Sequence, residues 1–258
     1  MLELYHFHGA TCGLKSRLAL AEKGVEFVEH AVERDYLRTT EYRKLNPNGV
    51  VPTLIHDGDV VLESSCIINY VDDAFDGPKL KPNNPLGLAR TWWWMKRADE
   101  CLPMIGTLTY TVSMRPKLLK LSTTEREEHL KGIPIAAARA RRRRIIEEGF
   151  ESSDLGQSIE GLQKMLSDME KARAQNEWLV GDDYTLADTA MTPLVERLQE
   201  LQCGPMVDRY PSVADWYERI QARPSYETCL GATPNPERPL HKEQGKKAWP
   251  EIKKLIDA

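Results

Sequence analysis

Two short runs carry the first chemical signal in this chain. Val50-Val51-Pro52 follows the turn-forming Asn46-Pro47-Asn48-Gly49, and Glu63-Ser64-Ser65 lies a little further on. A proline inside an apolar strand removes a ladder donor, so Pro52 belongs at the start of a strand and not in its middle. With a cis Val51–Pro52 bond, the N–H and C=O of Val51 stay unpaired and point outward, a clamp for another piece of extended peptide. Glu63-Ser64 precedes Cys66-Ile67-Ile68-Asn69-Tyr70-Val71, which reads as helix. A carboxylate and a hydroxyl then sit beside fresh helix N–H groups, an arrangement for a ligand with both an amine and a carboxylate. Both runs point to capture of a small peptide.

The elements that must position these residues follow from hydrophobic period. Leu2 to Phe7 alternates as a strand, and Leu14 to Lys23 reads as a helix stopped by Gly24. Val25 to Val28 is a second strand and Tyr36 to Leu45 a short helix. Pro52 to His56 and Val60 to Leu62 are strands joined by the hairpin signal Asp57-Gly58-Asp59, and Ser64 to Ala74 is a closing helix. The order βαβαββα implies a small layer with a parallel and an antiparallel half. Beyond the turn-rich Pro78 to Pro85 the strand patterns stop. Leu86 to Ser113, Ala136 to Ala172, Leu186 to Gln202 and Ser212 to Ala222 carry helical periodicity, and Thr185-Leu186-Ala187-Asp188 is a capping box in its Asp form. A polar tail from Thr233 ends in a short amphipathic stretch. The fold class is α+β: a βαβαββα domain over residues 1–80, a linker over 81–88 and an all-helical domain over 89–258.

Composition narrows the partners. The 258 residues carry a net charge of -4, which removes any general bias toward nucleic acid or anionic membrane. No apolar stretch approaches the length that spans a bilayer, and the first strand begins at once, without the layout of a signal peptide. The five cysteines, Cys12, Cys66, Cys101, Cys203 and Cys229, form no CxxC pair and no disulfide framework. The expectation is a cytoplasmic protein.

A thioredoxin-like βαβαββα unit, Val51-Pro52 before its third strand, Glu63-Ser64 after its fourth and a helical domain beyond resemble the soluble glutathione transferases. The resemblance covers nearly the whole chain, and Tyr184-Thr185-Leu186-Ala187-Asp188 looks like that family's structural capping box. It implies that Val51 and Pro52 pair with the cysteinyl part of glutathione, that Glu63 and Ser64 hold its γ-glutamyl end, and that the protein is a homodimer. A narrower likeness links Glu127-Glu128-His129, Ile133-Pro134-Ile135, Arg141-Arg142-Arg143-Arg144 and Gly149-Phe150 to bacterial β-etherases, as do Leu14-Lys15 and Ala21-Glu22-Lys23-Gly24. Such relatives cleave lignin-derived β-aryl ethers by glutathione attack.

Thiol chemistry then weights the loop Gly9-Ala10-Thr11-Cys12-Gly13. A free thiol titrates near ~8.5, so the protein must favour the thiolate with a hydrogen-bond donor and the positive end of a helix. Thr11 falls where one branch of the family places a serine, and Cys12 where another places a cysteine. The Thr11 hydroxyl or the N–H groups of Cys12 and Gly13 could donate to the sulfur; Cys12 could instead run thiol exchange. Thr11 also reads as a helix N-cap, and Cys12 as a small buried filler. Lys15 and Arg17 open the helix near the expected ligand carboxylates, and their other reading is a solvated face. Lys15 is carried as a glutathione-binding residue.

Other conspicuous residues read as structure. Tyr5 alternates into the sheet as packing. His6 and His8 have metal-ligand character, but no third ligand is close in sequence, and they read as half-exposed strand side chains; no metal site is expected. Arg139 and Arg141 to Arg144 wrap around a helix and read as a solvated face, with one arginine able to reach an acidic ligand. Trp92-Trp93-Trp94 cannot all face one way: some pack in the core or a dimer interface, and another could line an aromatic substrate pocket. Trp249 on the last helix either covers that pocket or docks on the bundle. The expected activity is glutathione attack on a hydrophobic, aromatic electrophile, with β-aryl ether cleavage as its specific form. The alternatives are thiol–disulfide exchange through Cys12 and a binding module without turnover.

Overall fold

The computed structural model describes residues 1–133 and 135–257. Pro134, part of the narrower likeness above, and Ala258, the end of the expected helical domain, lie outside the described residues. The N-terminal half-layer runs β1 (Leu2–His6), α1 (Thr11–Lys23), β2 (Val28–Ala31), a 3-10 turn (Tyr36–Arg38), α2 (Thr40–Leu45), β3 (Thr53–His56), β4 (Asp59–Leu62) and α3 (Ser64–Ala74). The sheet order is β2-β1-β3-β4, with β1 and β2 parallel and the other pairs antiparallel. The expected βαβαββα order and its parallel and antiparallel halves are thus what the chain forms. Asp57 and Gly58 both take positive φ, 51° and 95°, which a two-residue hairpin turn needs to match the twist of its strands.

Leu4, Leu54, Ile67 and Ile68 are fully buried between the sheet and α1 and α3. The second strand starts three residues later than its apolar run, which began at Val25. The Val25 N–H is taken by the Leu20 carbonyl at 3.0 Å in the closing turn of α1, so pairing to β1 cannot begin until Val28. A buried ion pair, Lys23 Nζ to Asp72 Oδ1 at 3.3 Å, ties the end of α1 to the end of α3. Lys23 also donates to the Pro78 carbonyl at 3.0 Å, and the Leu80 N–H to Asp72 at 2.9 Å, so the same pair holds the first residues of the connector.

The rest is helical: α4 (Pro85–Thr109), a π turn (Tyr110–Met114), α5 (Arg115–Leu118), α6 (Thr123–Lys131), α7 (Ala136–Glu148), a 3-10 turn (Gly149–Glu151), α8 (Ser153–Arg173), α9 (Leu186–Glu200), α10 (Gly204–Val207), α11 (Pro211–Gln221), α12 (Pro224–Tyr226), a second π turn (Glu227–Gly231) and α13 (Arg238–Asp257). Helix α4 begins inside the expected linker, because Asn84 caps it, accepting from the Gly87 N–H at 2.7 Å, and Pro85 fills the first helical position. The capping box at Thr185 is formed as the sequence implies, with both reciprocal bonds present. Helices α4, α8 and α9 build the main core, which includes Trp94, Met95, Leu162, Met165, Leu194 and Trp216.

Two helical expectations are corrected. The segment from Ala136 to Ala172 is two helices, because Arg115 donates from Nε to the Ile145 and Ile146 carbonyls at 3.1 and 3.2 Å and closes α7. Removing that cap in Arg115→Ala should lower stability by about 1–2 kcal/mol, read as a shift in the denaturant midpoint with an unchanged slope. The tail is not a short stretch but the 20-residue α13. Its Ala248, Ile252 and Ile256 are buried, while Glu243–Lys247 and Lys253–Asp257 pair along its exposed side. Trp249 packs against the bundle core.

Candidate active site

Three local devices shape the end of the sheet where the starts of α1 and α3 meet the turn before β3. The Val51–Pro52 bond is cis. The turn before it is braced from α2: the buried Tyr42 hydroxyl and Asn46 amide donate to the Val50 carbonyl at 2.7 and 2.8 Å. Among the described residues no hydrogen bond involves the backbone N–H or C=O of Val51, which leaves both groups for an incoming strand.

The second device is the start of α1. Thr11, Cys12 and Gly13 are not a loop, as the sequence implied, but the first turn of this helix. Its N-cap is Ala10, which offers no side-chain acceptor, and the first helical bond is Leu14 N–H to the Ala10 carbonyl at 2.9 Å. Thr11 is therefore not a cap. The N–H groups of Thr11, Cys12 and Gly13 have no intrahelical partner and carry the positive end of the helix dipole. Gly13 is needed for the approach of α1 to β1: a Cβ there would stand 3.2 Å from His6 Cβ and 3.4 Å from Ala10 Cβ.

The third device is the start of α3. Its N-cap position is Glu63, whose φ of 67° is one that side-chain-bearing residues rarely adopt and whose side chain makes no cap bond. Such a conformation costs about 1–3 kcal/mol and persists only where the surroundings enforce it. The first bond of α3 runs from the Ile67 N–H to the Glu63 carbonyl at 2.9 Å, so the N–H groups of Ser64, Ser65 and Cys66 are also free of helical partners. Helices α1 and α3 pack side by side. Two uncapped positive helix ends thus lie next to each other.

Cys12 lies between them. Burial pushes its thiol above the ordinary value of 9.0, against the opposing pull of the Lys15 ammonium and the Ser64 hydroxyl; Asp99 and Glu63 add to the rise. The structure therefore brings Cys12, Glu63, Ser64 and Lys15 together. Thr11 instead lines a cavity with Arg17, Arg197, Glu200, Thr233 and Asn235. There Arg197 donates to the Gly9 carbonyl.

Lys15 and Arg17 are not a solvated face. Lys15 is 1% exposed, and its ammonium donates to Ser65 Oγ at 3.0 Å and to Asp99 Oδ1 at 2.8 Å. It ties α1, α3 and α4 together. Asp99 escaped the sequence reading because an acidic residue on a long helix carries no motif, and its partner is far away in the chain.

The histidine pair is also corrected. His6 is fully buried, not half-exposed, and its Nε2 lies 2.7 Å from Glu29 Oε1. His6, His8 and Glu29 offer ligand atoms within 4.8 Å of one another, so a third group of metal-ligand type is present. Parallel pairing of β1 with β2 delivers Glu29 beside them, which sequence spacing could not show. Arg17 Nε stands 3.7 Å from the same carboxylate and offsets its charge.

The arginine run wraps its helix as expected and is a largely solvated face, with Arg141, Arg143 and Arg144 38%, 42% and 46% exposed and held in surface ion pairs. Arg141 and Arg144 meet Asp154, Arg143 forms a fork with Glu127, and Arg139 donates to the Ile133 carbonyl. Of the tryptophans, Trp94 is buried, while Trp92 and Trp93 are about half exposed at 48% and 50%. All five cysteines are free thiols. No helix among the described residues is long and apolar enough to cross a membrane.

Comparison with known families agrees with this geometry. Residues 4–79 match the glutathione S-transferase N-terminal domain, and residues 139–224 match the glutathione S-transferase C-terminal domain. The chain belongs to the glutathione S-transferase family, whose co-substrate is glutathione.

Among individual proteins, it is 31% identical to Protein LigF of Sphingobium sp. strain SYK-6 over 234 residues, covering 87% of this chain and 91% of that one. The crystal structure of the β-etherase LigF superposes with a TM-score of 0.79 at 30% identity, over 90% of this chain and 99% of that one. The tetrachloro-p-hydroquinone reductive dehalogenase of Sphingobium chlorophenolicum is 27% identical, covering 88% of this chain and 95% of its own. Maize glutathione S-transferase 3 is 26% identical, covering 92% and 97%.

Proposed function

We propose that this protein is a glutathione transferase whose thiol site lies at the paired starts of α1 and α3, and that its second substrate is a hydrophobic aromatic electrophile, with β-aryl ethers first among them. One observation carries the reading: two adjacent helix ends, both uncapped, flanked by a cis-proline turn whose Val51 backbone is free. Glutathione is a short peptide with a cysteinyl backbone, a thiol and an amino-acid end. Val51 would pair with the first, the N–H groups of Thr11 to Gly13 with the thiolate, and Glu63 and Ser64 with the amine and carboxylate of the last. The thiol loses its proton to solvent, the sulfur attacks the carbon that bears the aryl ether, the C–S bond forms and the C–O bond breaks, and a phenolate leaves. Orientation and thiolate stabilisation supply the catalysis. Similarity to the β-etherase favours the ether, and a homodimer in the cytoplasm is part of the same proposal. The domain limits that go with it are 1–80 and 89–258.

The test is a glutathione-dependent assay on a β-aryl ether beside a generic chloronitroarene. Turnover of the ether with release of a phenol supports the specific reading; turnover of the chloronitroarene alone leaves only the general one, and no turnover of either removes both.

A second reading uses Cys12 as a thiol-exchange nucleophile, favoured by its place beside Ser64. Burial opposes it, because a thiol pushed above 9.0 is neutral at pH 7, whereas the thiolate is the nucleophile. The pH dependence of kcat/KM should therefore report the bound glutathione thiol and stay in place in Cys12→Ala. A trapped glutathione adduct on Cys12 by intact mass, together with a lost pH limb in Cys12→Ala, would reverse the preference. Because the Thr11 hydroxyl lines the cavity with Arg17 and Arg197 and its N–H survives the change, Thr11→Ala and Cys12→Ala should both keep conjugation rates, which leaves the backbone N–H groups as the thiolate donors; a slowed Thr11→Ala would return the hydroxyl to the sulfur.

A further inference from the structure

One arginine of the run stands apart. Arg142, like Arg139, has no carboxylate within 4.0 Å among the described residues, although Arg141, Arg143 and Arg144 each have one; unlike Arg139 it lies over an aromatic ring. Its Nη1 donates to the Gly106 carbonyl at 2.8 Å, and its guanidinium lies 4.4 Å above the ring of the buried Tyr110. Arg142 is partly buried, and that burial pulls its guanidinium down to about 10 with no carboxylate beside it. Removing a charge from water in this way is expensive unless an anion answers it.

More cations gather on the same spot from the other side. The Tyr110 hydroxyl and His129 Nε2 lie 3.1 Å apart. Burial first, and then the guanidiniums of Arg38, Arg34 and Arg142, hold the His129 imidazole below its ordinary value. Arg38 comes from the segment after β2 and lies against Gly132 at the end of α6. Arg34 sits 4.5 Å above the ring of Phe7, which leads directly into the start of α1. Arg34 pairs with the partly exposed Glu237 at 3.2 Å and Arg38 with the exposed Asp35 at 3.5 Å, pairs that water screens. Phe7 and Arg34 stack beside the start of α1, and Tyr110, His129 and Arg142 lie against one another in the helical domain.

We propose that this cluster binds the carboxylate of an aromatic acid, so that the second substrate carries a negative charge at the end remote from the attacked carbon. The proposal rests on the transferase reading and specifies its substrate class. A carboxylate accepts the fork of N–H donors that Arg142 leaves unused, and the Tyr110 and Phe7 rings suit the aromatic body.

The experiment is calorimetric titration at pH 7 of the full chain with 4-phenoxybenzoate and with its neutral amide, 4-phenoxybenzamide. The acid should bind about tenfold or more tightly than the amide. Arg142→Gln should bring the acid down to the affinity of the amide while the amide itself is unchanged, and Arg142→Lys should keep most of the preference. Equal binding of the two compounds, binding of neither, or a preference that survives Arg142→Gln would overturn the proposal. Should Arg142→Gln fail to fold, the surface double variant Arg34→Gln/Arg38→Gln takes its place: a weakened acid affinity supports the cluster and an unchanged one overturns it. Separate titration with glutathione isolates the underlying reading, since loss of glutathione binding alone sinks the transferase and not the acid preference.

Discussion

Replacing Asp188 with alanine is expected to destabilise the protein by about 3–5 kcal/mol. The carboxylate is fully buried at the start of α9 and accepts four bonds, from the α9 cap, the segment before it and α11. The N–H and hydroxyl of Thr185 reach it at 2.9 and 3.0 Å, the Leu179 N–H at 3.1 Å and the Trp216 indole at 2.9 Å. Alanine would leave the Leu179 N–H, the Thr185 N–H and the indole unsatisfied in a dry interior, although Thr185 Oγ1 would still cap α9. Asp188→Asn is expected to lose less, about 1–3 kcal/mol, since its carbonyl oxygen still accepts from Trp216 and Leu179 while its amide faces the Thr185 donors. Guanidinium unfolding followed by near-ultraviolet dichroism reads both. An alanine variant within about 1 kcal/mol of wild type would mean that the box is not what holds α9.

The largest effect on function is expected in Ser64→Ala. Ser64 is 5% exposed, opens α3 and adjoins Cys12. As a donor to a ligand carboxylate it should contribute about 1.5–3 kcal/mol. KM for glutathione should rise about ten- to hundredfold with kcat nearly unchanged, the pattern of a lost ground-state contact. The neighbouring Ser65→Ala is the control. Ser65 accepts from Lys15 and donates to Asp99 at 2.9 Å, so its loss should lower the melting temperature and leave KM in place. Equal KM values in both variants would take the γ-glutamyl end away from α3.

The comparison of sequence with structure divides along a physical line. Val51-Pro52, Asp57-Gly58 and the box at Thr185 to Asp188 were legible, because each is a local code in which a few consecutive residues decide their own backbone. The same holds for α3, whose apolar spacing and position after a hairpin define it within one residue. Failures arose where a distant partner intervened. Arg115, far from Ile145 and Ile146 in the chain, split one helical period into two helices. Asp99 turned Lys15 from a surface cation into a buried tie, and Glu29 arrived beside His6 only through strand pairing. The arginine run showed the limit most plainly: composition gave its charge, while its counter-ions, Glu127 and Asp154, are set by the packing of α6, α7 and α8.

The bond from Arg197 to the Gly9 carbonyl, with Asn235 packed against Gly9, has a consequence for timing. The first eighty residues contain a complete sheet, which leaves the ribosome before the rest of the chain is made. At ~5–20 residues per second, the segment around Asn235 leaves the ribosome about ten seconds or more after them. Until it docks, the turn leading into Thr11 lacks two of its braces. A nascent chain would therefore carry a formed sheet before the turn into α1 is braced, and on the proposed reading its thiol site would be finished only after α9 and the segment around Asn235 have docked.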